Sequence, residues 1–551
     1  MEDSLAAELH VMDVKTGKDL PDVIDRIWGE GSASWLPDDK SFFYTQLAEP
    51  KPGVDPMTGQ VAKLHVMGTP VDNDPIVLGR ADAATWKLAP EEWPGLWQPT
   101  GSTWVVVTAG GAHSEMRVGV AKTSELDKTG ASKTPWRVVA EYADGIEQAW
   151  PHGDRLYMMQ YKDAPNRKLV SVPLAKPVLA NARVELAEDP AMKIESVIPA
   201  KDGMYVMRQM NGLMRLDRLA WKAGAKPEAI ALPYEGWIPD AYGDMATEGL
   251  FFQVESWLRI GAYYAWNPKK KQLAPAGLAS TSNADVSQLV AEETEATSFD
   301  GTKVPLTIIH RKSDVASTPH PTLLYAYGGY GAVERPGFSS SRIAWIERGG
   351  IYAIAHVRGG GEKGRKWQDD GSREKKMNGV RDFIACAEFL VAKGYTSTKK
   401  LAIHGISMGG VLVGRALTER PDLFGVVQLA VGIVNPLRIL EAENGANQKL
   451  ELGDPTTDGG YKSIAEMDPY THVKPSTAYP AVVFTIGLND HRVAPWMTAK
   501  MAARLQAATT SKRPILVRVD RDAGHGVGST RDQGFAEKAD IWGFFLDQMG
   551  E

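Results

Sequence analysis

The chain has 551 residues, which is more than one hydrophobic core usually holds, so we expect two or more domains. Hydrophobic residues make up 43% and charged residues 24%, as in ordinary globular proteins, and the formal charge of −6 argues against a nucleic-acid-binding protein. The single cysteine, Cys386, excludes an intramolecular disulfide, and no apolar run is long enough to indicate a membrane span.

The N-terminal segment, "MEDSLAAELHVMD", lacks the basic region and apolar stretch of a signal peptide. We therefore expect a cytoplasmic protein, or a periplasmic one if a leader is missing from this sequence. Neither a membrane nor a nucleic acid is expected as a partner. The sequence does not determine an oligomeric state.

Residues 1–285 show a repeated pattern that is typical of strands and turns. The repeats are "SWLPDDKSFFYTQL", "WQPTGSTWVVVTAG", "AWPHGDRLYMMQY", "VIPAKDGMYVMRQ" and, less cleanly, "YGDMATEGLFFQVES". Their first four marker prolines, Pro37, Pro99, Pro151 and Pro199, are 62, 52 and 48 residues apart. Four-stranded units at such intervals are typical of propeller blades, so this half is predicted to be a β-propeller rather than a β-sandwich or several small β domains.

Residues 286–551 change to alternating strands and helices. "VPLTIIHRK", "PTLLYAYGG", "GIYAIAHVRGGG", "KKLAIHG", "FGVVQLAVG", "AVVFTIGLND" and "PILVRVD" are predicted strands. "NGVRDFIACAEFLVAKGY", "GGVLVGRALTERPDLF" and "APWMTAKMAARLQAAT" are predicted helices. This alternation predicts a mostly parallel sheet that is covered by helices on both faces.

The segment "IHGISMGGVLVG" places Ser407 between Gly405 and Gly409, in the pattern G-x-S-x-G. It lies between a predicted strand and a predicted helix, where this pattern forms a tight turn that lifts the serine hydroxyl above the sheet. Taken alone, the pattern is also compatible with a serine that caps the following helix.

A nucleophilic serine needs a base within hydrogen-bond reach and an acid that orients the base. In α/β-hydrolases the chain order is serine, acid, histidine, and reactive groups lie at the carboxyl ends of strands. Asp490 ends the predicted strand "AVVFTIGLND", and His525 follows "PILVRVD" in the glycine-rich "DAGHGVG". His491 is adjacent to Asp490 and therefore poorly placed to reach Ser407, and His404 precedes the turn. Each residue could be an ordinary turn or loop residue, but their order and positions together predict a triad.

The negative charge that develops on a carbonyl oxygen during acyl transfer needs hydrogen-bond donors. The backbone N–H of Met408, directly after the serine, is the first candidate. The segment "YAYGGYG" at residues 325–331 is predicted to supply a second. "RGGGEKG" at residues 358–364 lacks the lysine pattern of a phosphate-binding loop, and no zinc-binding pattern is visible, so neither a cofactor nor a metal is expected.

These segments, together with "HVRGGGEKGRKWQDDG", "GYTSTKKLAIHGISMGG", "RPDLFGVVQLAVG" and "LNDHRVAP", make the chain resemble the prolyl oligopeptidase family of serine peptidases over nearly its whole length. The resemblance implies a β-propeller that stands over the catalytic face of an α/β-hydrolase domain. It implies Ser407 as nucleophile, His525 as general base and Asp490 as its orienting acid.

The same resemblance implies roles for three residues around the triad. The Tyr327 hydroxyl would join the Met408 N–H in the oxyanion hole, and Arg492 would hydrogen-bond a substrate carbonyl. A propeller over the site implies a size filter that admits short peptides as substrates.

The residue preferred before the cut depends on a pocket that differs from the family pattern. Family members that cleave after proline stack a tryptophan on the proline ring, and the matching position in "GGYKSIAEMDPYTHV" is interpreted as Ser463. Tyr330 is expected to form one aromatic wall, with Met467 nearby. Cleavage after proline is therefore expected with an altered pocket, and a basic or small residue before the cut stays possible.

The first strands, in "ELHVMDVKTGKDLPDVI", resemble the later part of a blade whose beginning is absent. With five fuller units after this fragment, the propeller is predicted to have an incomplete first blade. The sequence is accordingly expected to be a shortened form of a longer chain.

Two other functions are compatible with these residues. The altered pocket would suit an esterase, amidase or isopeptidase that uses the same triad. The incomplete blade would suit a catalytically weak binding module that uses the propeller as a scaffold.

Overall fold

The computed structural model describes residues 6–28, 33–51, 54, 57–79, 86–111, 113–210, 212–314, 318–526 and 530–551. A series of small antiparallel sheets ends at Ala279, and one large mixed sheet begins at Leu289. The predicted domain boundary after residue 285 falls between these two strands. Among the described helices, none combines the length and the apolar character needed to cross a membrane.

The N-terminal part consists of strands that pair with their neighbours along the chain. β1 (Ala6–Asp13) and β2 (Lys18–Trp28) form a two-stranded antiparallel sheet. Five four-stranded sheets follow: β3 (Ser34–Trp35), β4 (Ser41–Gln46), β5 (Val61–Val66) and β6 (Ile76–Leu78); β7 (Trp93–Trp97), β8 (Trp104–Gly111), β9 (His113–Lys122) and β10 (Arg137–Ala140); β11 (Ile146–His152), β12 (Arg155–Gln160), β13 (Lys168–Pro173) and β14 (Arg183–Leu186); β15 (Lys193–Ala200), β16 (Gly203–Met210), β17 (Leu213–Leu219) and β18 (Glu228–Ile230); β19 (Ala241–Tyr242), β20 (Leu250–Ser256), β21 (Arg259–Asn267) and β22 (Gln272–Ala279). The predicted propeller, with five fuller units after a shorter one, is confirmed.

Apolar side chains pack between successive sheets of the propeller. Leu64, Trp86 and Val107 belong to one buried cluster that joins the sheet β3–β6 to the sheet β7–β10. Gly119 on β9 is required there, because a Cβ at this position would lie 2.0 Å from the Trp86 ring. Similar clusters join each later pair of neighbouring sheets, so the units stack face to face.

The C-terminal part is built on an eight-stranded sheet. Its strands are β23 (Leu289–Thr297), β24 (Lys303–Arg311), β25 (Thr322–Tyr325), β26 (Ile351–Ala355), β27 (Leu401–Ile406), β28 (Val426–Ala430), β29 (Ala481–Gly487) and β30 (Ile515–Asp520). In space they follow the order β23-β24-β26-β25-β27-β28-β29-β30. The six strands from β25 to β30 run parallel, so their carboxyl ends meet at one edge of the sheet.

Helices cover both faces of this sheet, as predicted for an α/β domain. They are α1 (Ser340–Glu347), α2 (Arg365–Asp369), α3 (Lys376–Ala392), α4 (Gly409–Glu419), α5 (Lys449–Leu452), α6 (Asp458–Met467), α7 (Pro495–Ala508) and α8 (Arg531–Met549). Side chains of α3, α4, α6 and α7 form the core on one face, and those of α1 and α8 form the core on the other.

The two parts of the chain contact each other directly. Val333 of the C-terminal part packs against the apolar cluster between the last two propeller sheets. The Lys193 ammonium donates to the Gly361 carbonyl at 3.1 Å, and the Arg365 guanidinium lies 3.2 Å from the Glu115 carboxylate. These contacts hold the propeller beside the carboxyl edge of the sheet.

Candidate active site

Ser407 occupies the sharp turn between β27 and α4. Its φ angle of 55° lies in the left-handed region, which is uncommon for a residue with a side chain. The Ser407 N–H donates to the Ala430 carbonyl at 3.0 Å, which anchors the turn to β28. A Cβ on Gly405 would lie 2.3 Å from the Gly409 carbonyl oxygen, so glycine is needed before the serine. The G-x-S-x-G spacing is therefore a requirement of this backbone.

The loops after β29 and β30 bring Asp490 and His525 to this turn. His525 Nε2 lies 2.9 Å from Ser407 Oγ, and His525 Nδ1 lies 2.7 Å from Asp490 Oδ2. The other carboxylate oxygen, Oδ1, accepts the backbone N–H groups of Arg492 at 2.9 Å and Val493 at 2.8 Å. The Asp490 side chain is 1% exposed and the His525 side chain 11% exposed. The three predicted residues thus form one continuous hydrogen-bonded chain that is nearly shielded from solvent.

The two other histidines considered in the sequence have different surroundings. His491 Nδ1 lies 2.6 Å from the Glu443 carboxylate. His404 is half-buried on β27 and stacks on Tyr325, with ring centroids 5.4 Å apart. Burial lowers the pKa of His404 to about 4, so its imidazole is neutral at pH 7.

Tyr327 lies two residues after the end of β25, with its hydroxyl hydrogen-bonded to Ser407. Burial raises the pKa of Tyr327 to about 12, although its hydrogen bond with Ser407 and the nearby Arg492 charge act in the opposite direction. The phenol therefore keeps its proton at neutral pH and can donate a hydrogen bond. Met408 follows the serine at the N-terminal end of α4, with its side chain fully buried.

A cavity of about 170 Å³ opens beside Ser407 and is walled by both parts of the chain. Its lining residues are Trp28, Met57 and Trp93 from the propeller, with Tyr327, Tyr330, Ile433, Asn444, Asn447, Gln448, Arg492, Val493 and His525 from the C-terminal part. Tyr330 and Trp93 also line a larger cleft of about 730 Å³ between the two parts. Ser407 therefore faces a cavity between the two parts of the chain.

The structure corrects the sequence-based pocket at two positions. Ser463 and Met467 lie on α6 and do not line the cavity beside Ser407. Met467 is 1% exposed and packs in the core with Ile464, because the helical spacing of these two residues turns both toward the sheet. Ser463 Oγ is buried without a hydrogen-bond partner.

The cavity wall beside Tyr330 comes instead from the segment just before α5. Asn444, Asn447 and Gln448 line it, and the Tyr330 hydroxyl donates to Gln448 Oε1. The sequence reasoning missed these three residues. Their position in the sequence could have revealed them. The polar segment "AENGANQK" lies beyond the carboxyl end of a predicted parallel strand, where such sheets place binding groups.

Glu334, shortly after Tyr330, lines a third cavity, of about 310 Å³, whose charged wall residues are mainly acidic. Its N–H donates to Glu362 Oε1 at 2.9 Å, and its carboxyl oxygen Oε1 accepts the Tyr325 hydroxyl at 3.3 Å. Burial, reinforced by the Glu362 charge, raises the pKa of Glu334 to about 7. This carboxyl therefore changes charge near neutral pH.

Glu334→Gln is expected to remove a pH dependence of stability. Because the pKa of Glu334 is higher in the folded chain, its protonated carboxyl contributes free energy of unfolding. This contribution is fully present below the unfolded pKa of 4.5 and is lost as the pH rises toward about 7. The loss is roughly 3 kcal/mol of unfolding free energy, so the variant should be more stable than the parent at alkaline pH and similar to it in acid. Denaturant unfolding across this pH range measures the effect. Glu295→Gln, at an exposed carboxylate of the same cavity, is the control, and equal pH slopes for the two variants would contradict the prediction.

Within the part of the chain that the structure describes, no group of three or more His, Cys, Asp or Glu side chains is arranged to hold a metal ion. The chemistry available at the site is that of a hydrogen-bonded serine, imidazole and carboxylate with a protonated phenol beside them.

Comparisons with known proteins identify the family. A model described as "Prolyl oligopeptidase family" matches residues 336–551, and one described as "Prolyl oligopeptidase, N-terminal beta-propeller domain" matches residues 4–277. A prolyl endopeptidase from Elizabethkingia meningoseptica is 30% identical over 98% of this chain and 75% of its own length. Dipeptidyl aminopeptidase BI from Pseudoxanthomonas mexicana is 29% identical over 97% of this chain and 72% of its own length.

Solved structures agree with this relationship. A structure from a study of two prolyl endopeptidases superposes with a TM-score of 0.91 at 28% identity, covering 100% of this chain and 79% of that one. Oligopeptidase B from Leishmania major shares the fold, with a TM-score of 0.86 at 24% identity over 99% of this chain and 75% of its own. A propeller beside an α/β-hydrolase domain with a serine at the nucleophile turn defines a serine hydrolase. The chain belongs to the prolyl oligopeptidase family and is a serine peptidase.

Proposed function

We propose that this serine peptidase cleaves short peptides after proline through a triad of Ser407, His525 and Asp490. The observation that carries the triad is the continuous hydrogen-bonded chain from Ser407 Oγ through the imidazole to the Asp490 carboxylate. Ser407 attacks the scissile carbonyl while His525 Nε2 takes its proton. Asp490 stays ionised and holds the proton on Nδ1, so that Nε2 is free to act as the base. His525 then protonates the leaving amine, and water hydrolyses the acyl-enzyme.

The oxyanion formed in each step is assigned to the Tyr327 hydroxyl and the Met408 N–H. Both groups adjoin the nucleophile, one through its hydrogen bond with Ser407 and the other as the next residue in the chain. Such donors act mainly in the transition state, when charge develops on the carbonyl oxygen.

Tyr327→Phe is expected to lower kcat by about 10²- to 10³-fold with little change in KM, since one oxyanion donor has about that effect. The phenylalanine keeps the ring packing against Tyr330, whose centroid lies 6.2 Å away. Steady-state kinetics, normalised to fluorophosphonate-reactive sites, measure the effect. An unchanged kcat in Tyr327→Phe would show that the Tyr327 hydroxyl is not part of the oxyanion hole.

Short peptides are the proposed substrates because the serine lies in a cavity that both parts of the chain enclose. A folded protein would have to unfold before a segment could enter, which costs several kcal/mol. Arg492 lines the same cavity and is the proposed donor to a substrate backbone carbonyl.

Proline before the cut is favoured by the chemistry of the cavity. Trp93 and Tyr330 offer aromatic faces, and Ile433 and Val493 offer apolar surface, for a compact ring. None of the described lining residues carries a carboxylate, so a lysine or arginine side chain would be buried without a counter-ion. The amides of Asn447 and Gln448 add polar groups that a tryptophan wall would lack.

The test is cleavage of a peptide library varied at the residue before the cut, with Ser407→Ala as the blank. Cleavage after proline that the variant abolishes would support the whole proposal. Cleavage after a different residue would keep the triad and reject the proline specificity. Fast ester turnover with negligible peptide cleavage would reject the peptide substrate.

A further inference from the structure

Lys376, at the start of α3, is a buried lysine beside the proposed oxyanion hole. Its side chain is 2% exposed and pairs with the Glu451 carboxylate, which is 4% exposed. The same ammonium donates to the Gly328 carbonyl at 2.8 Å. A buried ammonium of this kind costs desolvation free energy, and it is tolerated because both of these partners satisfy it.

The Gly328 carbonyl belongs to a tightly constrained loop. Gly328, Tyr330 and Gly331 all have left-handed φ angles, of 63°, 56° and 67°. A Cβ on Gly329 would lie 2.5 Å from Met408 Cγ, so this loop presses directly on the residue after the nucleophile. The loop therefore contacts both residues that supply the proposed oxyanion donors, since Tyr327 begins the loop and the Met408 side chain packs against it.

One short segment that lines the cavity holds this loop at two points, directly at Tyr330 and through Lys376 at Gly328. Gln448 accepts the Tyr330 hydroxyl, and Glu451, one turn later, holds the Lys376 ammonium. The buried Glu451 charge is among the effects that raise the pKa of Tyr327. Without Lys376 this carboxylate would be unpaired beside a site where negative charge must develop.

We propose that Lys376 is a positioning residue for the oxyanion hole. Its ammonium fixes the Gly328 carbonyl, and Glu451 is the counter-ion that allows this ammonium to be buried. The inference rests on the proposed function. Lys376 acts through the loop and its counter-ion and not by touching the substrate. Its removal should therefore weaken binding of the transition state more than binding of the ground state.

The experiment compares Lys376→Met, Glu451→Gln and the double variant in the full chain. Methionine keeps most of the side-chain volume and removes the charge and the donor. Lys376→Met is expected to lower kcat per fluorophosphonate-titrated site by about 10- to 100-fold, with KM within about threefold. The affinity for a peptide aldehyde, whose adduct with serine carries an oxyanion, should fall in parallel.

The double variant separates positioning from stability. It contains no unpaired buried charge, so its thermal stability should recover relative to Lys376→Met, whereas its kcat should stay low because the bond to Gly328 is still absent. Glu451→Gln alone keeps that bond and should retain kcat within about fivefold. Arg208→Met, which breaks an ion pair with Asp217 in the propeller, is the matched control and should lower stability without lowering kcat per titrated site.

Unchanged kcat per titrated site in Lys376→Met would overturn the proposal, as would a double variant that regains kcat together with stability. A loss of titratable sites with normal kcat in the sites that remain would also overturn it, because it shows a role in folding alone. A failure of the proposed function gives a different result: Ser407→Ala would then be as active as the parent.

Discussion

Ser407→Ala is expected to reduce kcat by on the order of 10⁶-fold, because removal of a triad serine leaves only binding and the oxyanion hole. The substitution removes one hydroxyl from a turn whose backbone hydrogen bonds, to Ala430 and from Gly410, do not involve the side chain. Folding and peptide binding should therefore persist while turnover is lost. The measurement is peptide hydrolysis at saturating substrate, with circular dichroism to verify the fold.

Ser463→Ala is the informative comparison for this variant. It removes a serine hydroxyl that the sequence placed in the pocket and the structure places on α6, outside the cavity. Its kcat/KM should stay within about twofold of the parent, as for other changes away from the reacting groups. Residual turnover of Ser407→Ala at more than about a hundredth of the parent rate would show that another residue is the nucleophile.

Asp490→Asn is expected to lower kcat by about 10⁴-fold through the wrong imidazole tautomer. Asp490 Oδ1 accepts two backbone N–H groups, those of Arg492 and Val493. In the variant the amide oxygen must take this position, which turns the NH₂ group toward His525 Nδ1. The imidazole then accepts at Nδ1 and carries its proton on Nε2, facing Ser407, where it cannot act as a base.

The backbone hydrogen bonds also predict that Asp490→Asn folds normally, since the amide oxygen preserves both of them. Asp490→Ala should be less stable than Asp490→Asn, because it leaves the two N–H groups without their acceptor. Kinetics normalised to folded protein, with thermal unfolding of both variants, measure the two effects. A kcat of Asp490→Asn within tenfold of the parent would contradict the assigned role of the carboxylate.

Local sequence was sufficient to predict the features that depend on the backbone alone. Gly405 and Gly409 mark the nucleophile turn because a side chain before Ser407 would collide with the helix that follows. The repeated turn-and-strand pattern identifies the propeller because each unit is one local meander of antiparallel strands. Asp490 and His525 were found because parallel strands bring their carboxyl ends to one edge, wherever those strands lie in the chain.

Only the tertiary structure showed which residues line the cavity and which residues hold the neighbouring loop in place. Ser463 was placed in the pocket by a motif a few residues away, yet α6 turns that segment toward the core. Gln448, at the end of a short 3-10 helix before α5, lines the cavity beside Tyr330 instead. Lys376 and Glu451 meet although they are 75 residues apart. Neither residue lies in a recognisable sequence motif, because a buried ion pair depends on which charged side chain the folded chain places beside each partner. Sequence by itself therefore determined the fold and predicted the three residues that meet at the Ser407 turn, whereas long-range packing decided which side chains surround them.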